Sequence, residues 1–179
     1  MMSIDATKLT YSDYCLFPDD GQRHEVIEGE HYVNPAPSPY HQDVSRLIQY
    51  QLITQIELPG HGKVFNAPID LQLTPSDIVQ PDLVVVMNDR RIITPTKIKG
   101  VPNLVVEILS PSSDANDRGV KFSLYEKTGV DEYWIVNPVE HEVEQHVLDG
   151  GKYKMTRHQR SIICRCIQPT THVDLTKVW

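Results

Sequence analysis

Two uninterrupted apolar runs, Leu83-Val84-Val85-Val86 and Leu104-Val105-Val106-Glu107-Ile108-Leu109, constrain this chain more than any other feature. Short runs rich in β-branched residues are strands covered on both faces, because a sheet with one wet face alternates apolar and polar side chains. The fold must therefore put layers above and below a sheet. Two acids break this rule. Asp82, after Pro81, opens the first run, and Glu107 lies inside the second. An unpaired carboxylate in such surroundings is so unfavourable that it must be paired, protonated or bound to a cation.

The rest of the pattern supplies the layers. His24 to Val33 reads as a hairpin turning at Glu28-Gly29, with Gly29 at positive φ, and Asn34 to Pro39 is a loop. From Tyr40 to Glu57, Val44, Leu47, Ile48, Leu52 and Ile56 recur at helical spacing, with Ser38 as cap and Pro39 in the first turn. Lys63-Val64-Phe65 and the alternating Ile69 to Leu73 are further strands. Asp117 to Thr128, carrying Val120, Phe122, Leu124 and Tyr125 and closed by Gly129, predicts an amphipathic helix. Strand Glu132 to Val136 follows, so strand, helix and strand form a crossover with a parallel pair. Asp149-Gly150-Gly151 joins Glu142–Leu148 to Lys152–Met155 as a second hairpin, and a short strand with a turn ends the chain.

The 13 prolines and 9 glycines punctuate these segments without marking a linker, so the 179 residues read as a single domain, 1–179. The expected class is α/β (α+β): a central mixed sheet flanked by helices, with N-terminal and C-terminal hairpins. No apolar run approaches the roughly 20 residues of a membrane span. The first fifteen residues hold no continuous apolar stretch, so a secretory signal is not expected and the cytoplasm is the expected compartment.

Cys15, Cys164 and Cys166 are too few and wrongly spaced for a disulfide framework; the last two are expected to share one face of a strand as small apolar fillers. The eight histidines show no zinc-ligand spacing beside cysteines. A net charge of −7 argues against general electrostatic wrapping of nucleic acid. Two local basic groups, Arg90, Arg91, Lys97 and Lys99, and Lys152, Lys154, Arg157 and Arg160, read either as phosphate contacts or as solvated loops.

With carboxylates on neighbouring strand ends, a hard divalent ion is the economical partner, and Mg²⁺ takes oxygen ligands while keeping several waters. Ser110 to Asp114 leads into the helix carrying Lys121, within reach of the Glu107 strand if the chain folds back. A lysine there can hold a water made reactive by the metal, and hydrolysis of a phosphodiester is the chemistry such a site suits.

Pro81-Asp82 followed 25 positions later by Glu107 resembles the PD-(D/E)XK nuclease superfamily. Closer is the resemblance to the Uma-two family of restriction endonucleases, carried by HEVIEGE at 24–30, QPDLVVV at 80–86, PNLVVEILSPSS at 102–113, Asp117 with Lys121 and Tyr125, and GVDEYWIVNP at 129–138. The resemblance implies a restriction-endonuclease-like fold and an endonuclease acting on DNA with Mg²⁺ or Mn²⁺. It implies Asp82, Glu107 and the Ile108 carbonyl as metal ligands, and Lys121 as the third catalytic group. Glu25 and His41 fall at family-like positions and are accessory candidates with Asp117 and Tyr125. The superfamily lysine two residues after the acid is absent, Leu109 standing there, and Lys121 maps onto its migrated position.

Plainer readings stand beside these. Asp82 can start a strand at an exposed end, Glu107 can pair with a core lysine, and Asp117 with Lys121 can be a surface pair. His41 can cap its helix, Glu25 can pair across the hairpin, and Tyr125 can pack with its hydroxyl at the rim. Trp134 and Tyr133 are expected in the core. The rival function is a catalytically inactive nuclease-fold domain used for protein or nucleic-acid interaction; a remoter one is a phosphoesterase acting on a small nucleotide. A homodimer suits double-strand cleavage by one site per chain.

Overall fold

In the computed structural model, residues 8–179 are described. The N-terminal reading of Met1 to Thr7 lies outside the described residues. After a single helical turn, α1 (Tyr11–Tyr14), the hairpin forms from β1 (Arg23–Ile27) and β2 (Glu30–Asn34). Glu28 and Gly29 both take positive φ, 54° and 84°, as a two-residue turn matched to strand twist requires.

Helix α2 (Pro39–Leu52) starts as expected, Ser38 Oγ accepting the His41 N–H at 3.2 Å with Pro39 in the first turn. It ends in a wider π-helical turn, Ile53–Glu57. Its apolar stripe, Val44, Ile48, Leu52 and Ile56, is fully buried.

The remaining strands are β3 (Gly62–Asn66), β4 (Leu71–Thr74), β5 (Asp77–Val79), β6 (Leu83–Met87), β7 (Ile98–Lys99), β8 (Leu104–Ile108), β9 (Glu132–Asn137), β10 (Glu142–Asp149), β11 (Lys152–His158), β12 (Ser161–Ile163) and β13 (His172–Asp174). A helical segment between β8 and β9 consists of α3 (Asp114–Asn116), a π-helical turn Asp117–Lys121 and α4 (Phe122–Thr128). It closes at Gly129 in the left-handed conformation.

The central sheet has six strands in the order β11-β10-β9-β8-β6-β3, mixed because β8 and β9 are parallel across the helical crossover. The two apolar runs occupy its interior positions. Alternation then divides the core. Leu83, Val85, Leu104, Val106, Ile108, Trp134 and Val136 face α2 and the C-terminal tail. Val84, Val86, Val105, Tyr133 and Ile135 face Leu124, Tyr125 and residues of a second sheet. The mixed α+β class expected from the pattern is thus the class observed, with helices and hairpins where the periodicity put them.

Three details differ. The Ile69–Leu73 alternation becomes a strand only from Leu71, pairs with β5, and joins the N-terminal hairpin in a second sheet, β2-β1-β5-β4-β7. The crossover helix starts at Asp114, before the expected Asp117. Cys164 and Cys166 lie beyond β12 and do not share a strand face. The backbone N–H groups of Arg165 and Cys166 instead donate to the buried Glu132 carboxylate at 2.6 and 3.1 Å, which turns the chain inward there. Among the described residues no helix is long and apolar enough to cross a membrane.

Candidate functional site

Register places the two anomalous acids together. Leu83 pairs with Val106 across β6 and β8, and side chains alternate faces along each strand. Asp82 and Glu107 therefore emerge on the same face as Val84 and Val105. There the crossover helix returns over the sheet, and its π-helical turn carries Asp117 and Lys121 inward. The Lys121 ammonium lies 3.0 Å from Glu107 Oε1, 3.2 Å from Glu25 Oε1 and 3.5 Å from Asp117 Oδ1. The Tyr125 hydroxyl donates to the same Glu107 oxygen at 2.9 Å.

The second sheet closes the other side. Glu25, on β1, accepts hydrogen bonds from the Asn34 amide at 2.6 Å and from the Gln80 backbone N–H at 2.7 Å. Two residues before it, the Arg23 guanidinium donates to Asp82 Oδ1 at 3.0 Å. Asp82 Oδ2 accepts the Ile108 N–H at 2.9 Å. In the first turn of α2, the His41 ring nitrogen Nε2 sits 3.1 Å from Asp82 Oδ2 and 3.0 Å from the Ile108 carbonyl oxygen. Arg23, His41, Asp82, Glu107, Ile108, Asp117 and Lys121 all line one cleft of about 280 Å³.

The electrostatics of this cleft are out of balance. Asp82, Glu107, Asp117 and Lys121 are only 5, 3, 1 and 4% exposed. Burial and the neighbouring acids push the Glu107 carboxyl up to about 8 despite the opposing Lys121 charge. Burial also raises Asp117, again against Lys121. Asp82 goes the other way: burial disfavours its charge, but His41, Arg23 and the Ile108 N–H hold it below the usual carboxylate range. Lys121 pays for burial and is still raised well above an ordinary lysine by Glu107, Glu25 and Asp117, so it stays a cation.

Four carboxylates, Glu25, Asp82, Glu107 and Asp117, thus face two fixed cations, Arg23 and Lys121. Both Asp117 oxygens are buried, and apart from the Lys121 ammonium at 3.5 Å from Oδ1 neither meets a donor at ordinary hydrogen-bond distance. A buried acceptor left without a donor is costly, and a hard oxygen-binding cation is the ligand this donor set suits. Among the described residues no three His, Cys, Asp or Glu side chains form a ready-made metal cage. A cation here would have a sparse protein ligand set completed by water.

Every residue singled out from the sequence, Asp82, Glu107, Ile108, Lys121, Glu25, His41, Asp117 and Tyr125, is drawn into this one network. The surface-pair reading of Asp117 and Lys121 does not hold, since both are buried. Glu107 does pair with a core lysine, and that lysine is Lys121. Tyr125 has its hydroxyl on Glu107 and not at the rim, because its ring packs inward against Tyr133 at 4.8 Å.

Sequence reasoning missed Arg23. Its signal was available: Arg23 and Glu25 are two apart on a strand and share a face. The two basic groups are not part of the cleft. Arg90 pairs with Asp131, Lys97 sits over the Tyr11 ring, and Lys152, Lys154 and Arg157 pair with Glu126, Asp149 and Glu144. A larger, open depression lined by Tyr11, Gln72 and Lys99 holds no comparable cluster of charges.

Comparison with known proteins bears on this arrangement. The model of the Uma2 family, described as "Putative restriction endonuclease", matches residues 10–171. The "Uncharacterized protein slr1290" of Synechocystis sp. is 27% identical over 157 residues, spanning 86% of this chain and 82% of that protein. The crystal structure of "a putative nuclease belonging to DUF820" from Anabaena variabilis superposes with a TM-score of 0.78 at 16% identity, covering 95% of this chain and 97% of the other. At that identity the likeness establishes a shared fold.

Proposed function

The chain belongs to the Uma2 family, described as "Putative restriction endonuclease", and from that premise we propose that its cleft is the active site of a divalent-metal-dependent nuclease acting on DNA. The observation that supports this most directly is the cluster of four buried carboxylates around Lys121 and Arg23, with both Asp117 oxygens lacking a donor at ordinary hydrogen-bond distance. With His41 left out of the count and all four carboxylates ionised, two cations leave two negative charges over, which one Mg²⁺ or Mn²⁺ would neutralise and which, without it, raise the proton affinity of Glu107 and Asp117. Asp82, Glu107 and the Ile108 carbonyl are the residues assigned to hold it, in the manner of the PD-(D/E)XK nucleases. What such an ion supplies when bound is Lewis-acid charge at the phosphate and a lowered pKa for water.

The chain's own groups divide the remaining work. Lys121, held as a cation, donates and does not abstract protons; it orients the attacking water and offsets the charge that builds on the phosphate. Asp117 lines the same cleft, and its raised proton affinity and unsatisfied oxygens suit it to accept a proton. Tyr125, on Glu107, is a positioning residue, as are Glu25, on Lys121, and Arg23, on Asp82.

Leu109 stands where the superfamily has its lysine. It is buried in the apolar core, and the Lys121 ammonium sits beside Glu107 in its stead. The inactive-domain reading therefore draws no support from that departure. Cutting both strands of a duplex with one site per chain would need two copies, acting as a homodimer.

Calorimetric titration with Mg²⁺ and Mn²⁺, run beside a nicking assay on plasmid and an assay on single-stranded DNA, tests this reading. Asp82→Asn and Glu107→Gln are each expected to lose both metal binding and cleavage while melting as folded proteins. Cleavage that survives in either variant, or the absence of any divalent binding by the wild type, overturns it.

A further inference from the structure

The rim of the cleft carries information that its floor does not. The acids at the bottom are almost wholly buried, whereas exposed Pro35, Ser38, Tyr40, Pro111, Ser112 and Val139 line the same cleft nearer solvent. Among the described residues, Arg23 and Lys121 are the only Lys or Arg side chains that line this cleft, and both are engaged by acids. A duplex docks its rigid phosphate backbone largely through Lys and Arg, whose contacts displace counterions. For that purpose this mouth offers, among the described residues, no free Lys or Arg.

What the rim does offer is aromatic. Tyr40 is 46% exposed at the mouth, its hydroxyl 3.3 Å from the Pro138 carbonyl oxygen and 3.5 Å from His141 Nε2. His141, exposed at the β9–β10 turn, stacks on Trp179 with ring centroids 5.3 Å apart and planes within 3°. Its backbone is held at φ 51°, a conformation uncommon for a residue other than glycine. Val139 beside it is 83% exposed. Tyr40 and His141 thus make a pair of exposed rings leading away from the cleft containing Asp82 and Glu107, His141 being backed by Trp179, which packs partly buried against the core. Successive bases of an unpaired strand stack on such rings without sequence preference.

We propose that the substrate of this site is single-stranded nucleic acid, threaded with its backbone in the cleft and its bases stacked on Tyr40 and on His141, which Trp179 backs. The proposal rests on the nuclease reading of the same cleft and deepens it. An unpaired strand exposes base faces that a duplex keeps stacked, so its hold comes from stacking on the rim more than from phosphate pairing. One copy of the chain then suffices for cleavage.

The test is binding, read separately from cleavage. Fluorescence anisotropy with a labelled twelve-nucleotide DNA, the same sequence as RNA, and its DNA duplex is measured with EDTA present. The expected result is at least tenfold tighter binding of one or both single strands than of the duplex. Affinity should fall less than tenfold between 50 and 200 mM salt, well short of the roughly 10³-fold or greater losses of proteins that make many phosphate contacts. Tyr40→Ala should weaken single-strand binding at least fivefold and Tyr40→Phe should restore it. His141→Asn, which tolerates the same backbone, should weaken it too.

Equal or tighter duplex binding, or single-strand binding indifferent to Tyr40→Ala, overturns the proposal. Such a result alongside acid-dependent plasmid nicking would leave the nuclease reading standing. Conversely, stacking-dependent binding with no metal-dependent cleavage would retain this surface and discard the catalytic reading.

Discussion

Replacing Glu107 by Gln should stabilise the metal-free protein in alkaline solution, although it removes a side chain that makes two buried hydrogen bonds. The Glu107 carboxyl ionises near pH 8 in the fold against about 4.5 when free. Between those limits the folded chain binds one more proton than the unfolded chain, so unfolding free energy falls as pH rises. At about 1.4 kcal/mol per pH unit, the loss complete by pH 9 is on the order of 5 kcal/mol, an upper figure because Glu107 is coupled to the charges of Lys121 and Asp117. Gln keeps the shape and can accept from Lys121 and Tyr125 through its carbonyl oxygen, without the charge.

Urea unfolding of wild type and variant at pH 5, 7 and 9 in EDTA is the assay. The difference between them isolates Glu107 from the ionisable groups the two proteins share. The variant should match the wild type within about 1 kcal/mol at pH 5 and exceed it by about 2–4 kcal/mol at pH 9. A difference that does not grow with pH, or a variant less stable at pH 9, would refute the claim that this charge is held against the stability of the fold. A group kept at such a cost is a mark of a functional site.

Other perturbations follow from the same structure. Lys121→Met leaves three buried acids with no cation among them and should cost about 3–5 kcal/mol at pH 8 by urea unfolding, less at pH 5 where Glu107 carries its proton. Mg²⁺ at a hundredfold excess over its Kd should stabilise the wild type by about 2.7 kcal/mol, and Asp82→Asn should lose this increment in thermal melts. Gly129→Ala meets no neighbouring atom but must hold φ 87°, so about 1–2 kcal/mol is expected. Gly62→Ala should cost more, because its Cβ would lie 2.6 Å from the Val86 carbonyl oxygen, backbone that cannot give way without disturbing the β3–β6 pairing.

Much of this molecule is local and was legible without coordinates. The Leu83–Val86 and Leu104–Leu109 runs could only be doubly covered strands; Ser38-Pro39 and Gly129 mark helix ends through hydrogen-bonding and φ constraints that act within a few residues. Alternation along β6 and β8 even put Asp82 and Glu107 on a common face once the strands were paired. Tertiary structure decided what those acids meet. Arg23 reaches Asp82 across 59 positions and His41 reaches Ile108 across 67, contacts that depend on a second sheet and on the packing of α2, neither of which any local preference encodes. The same long-range packing turned the Tyr125 hydroxyl inward, drew Cys164 and Cys166 off their expected strand toward Glu132, and paired most of both basic groups with nearby acids or an aromatic ring. Local sequence determined the elements and the anomaly in them. The electrostatic balance of the cleft was settled only by which distant side chains the fold brought within a few ångströms, because charge interactions in a buried site depend on separation in space and not along the chain.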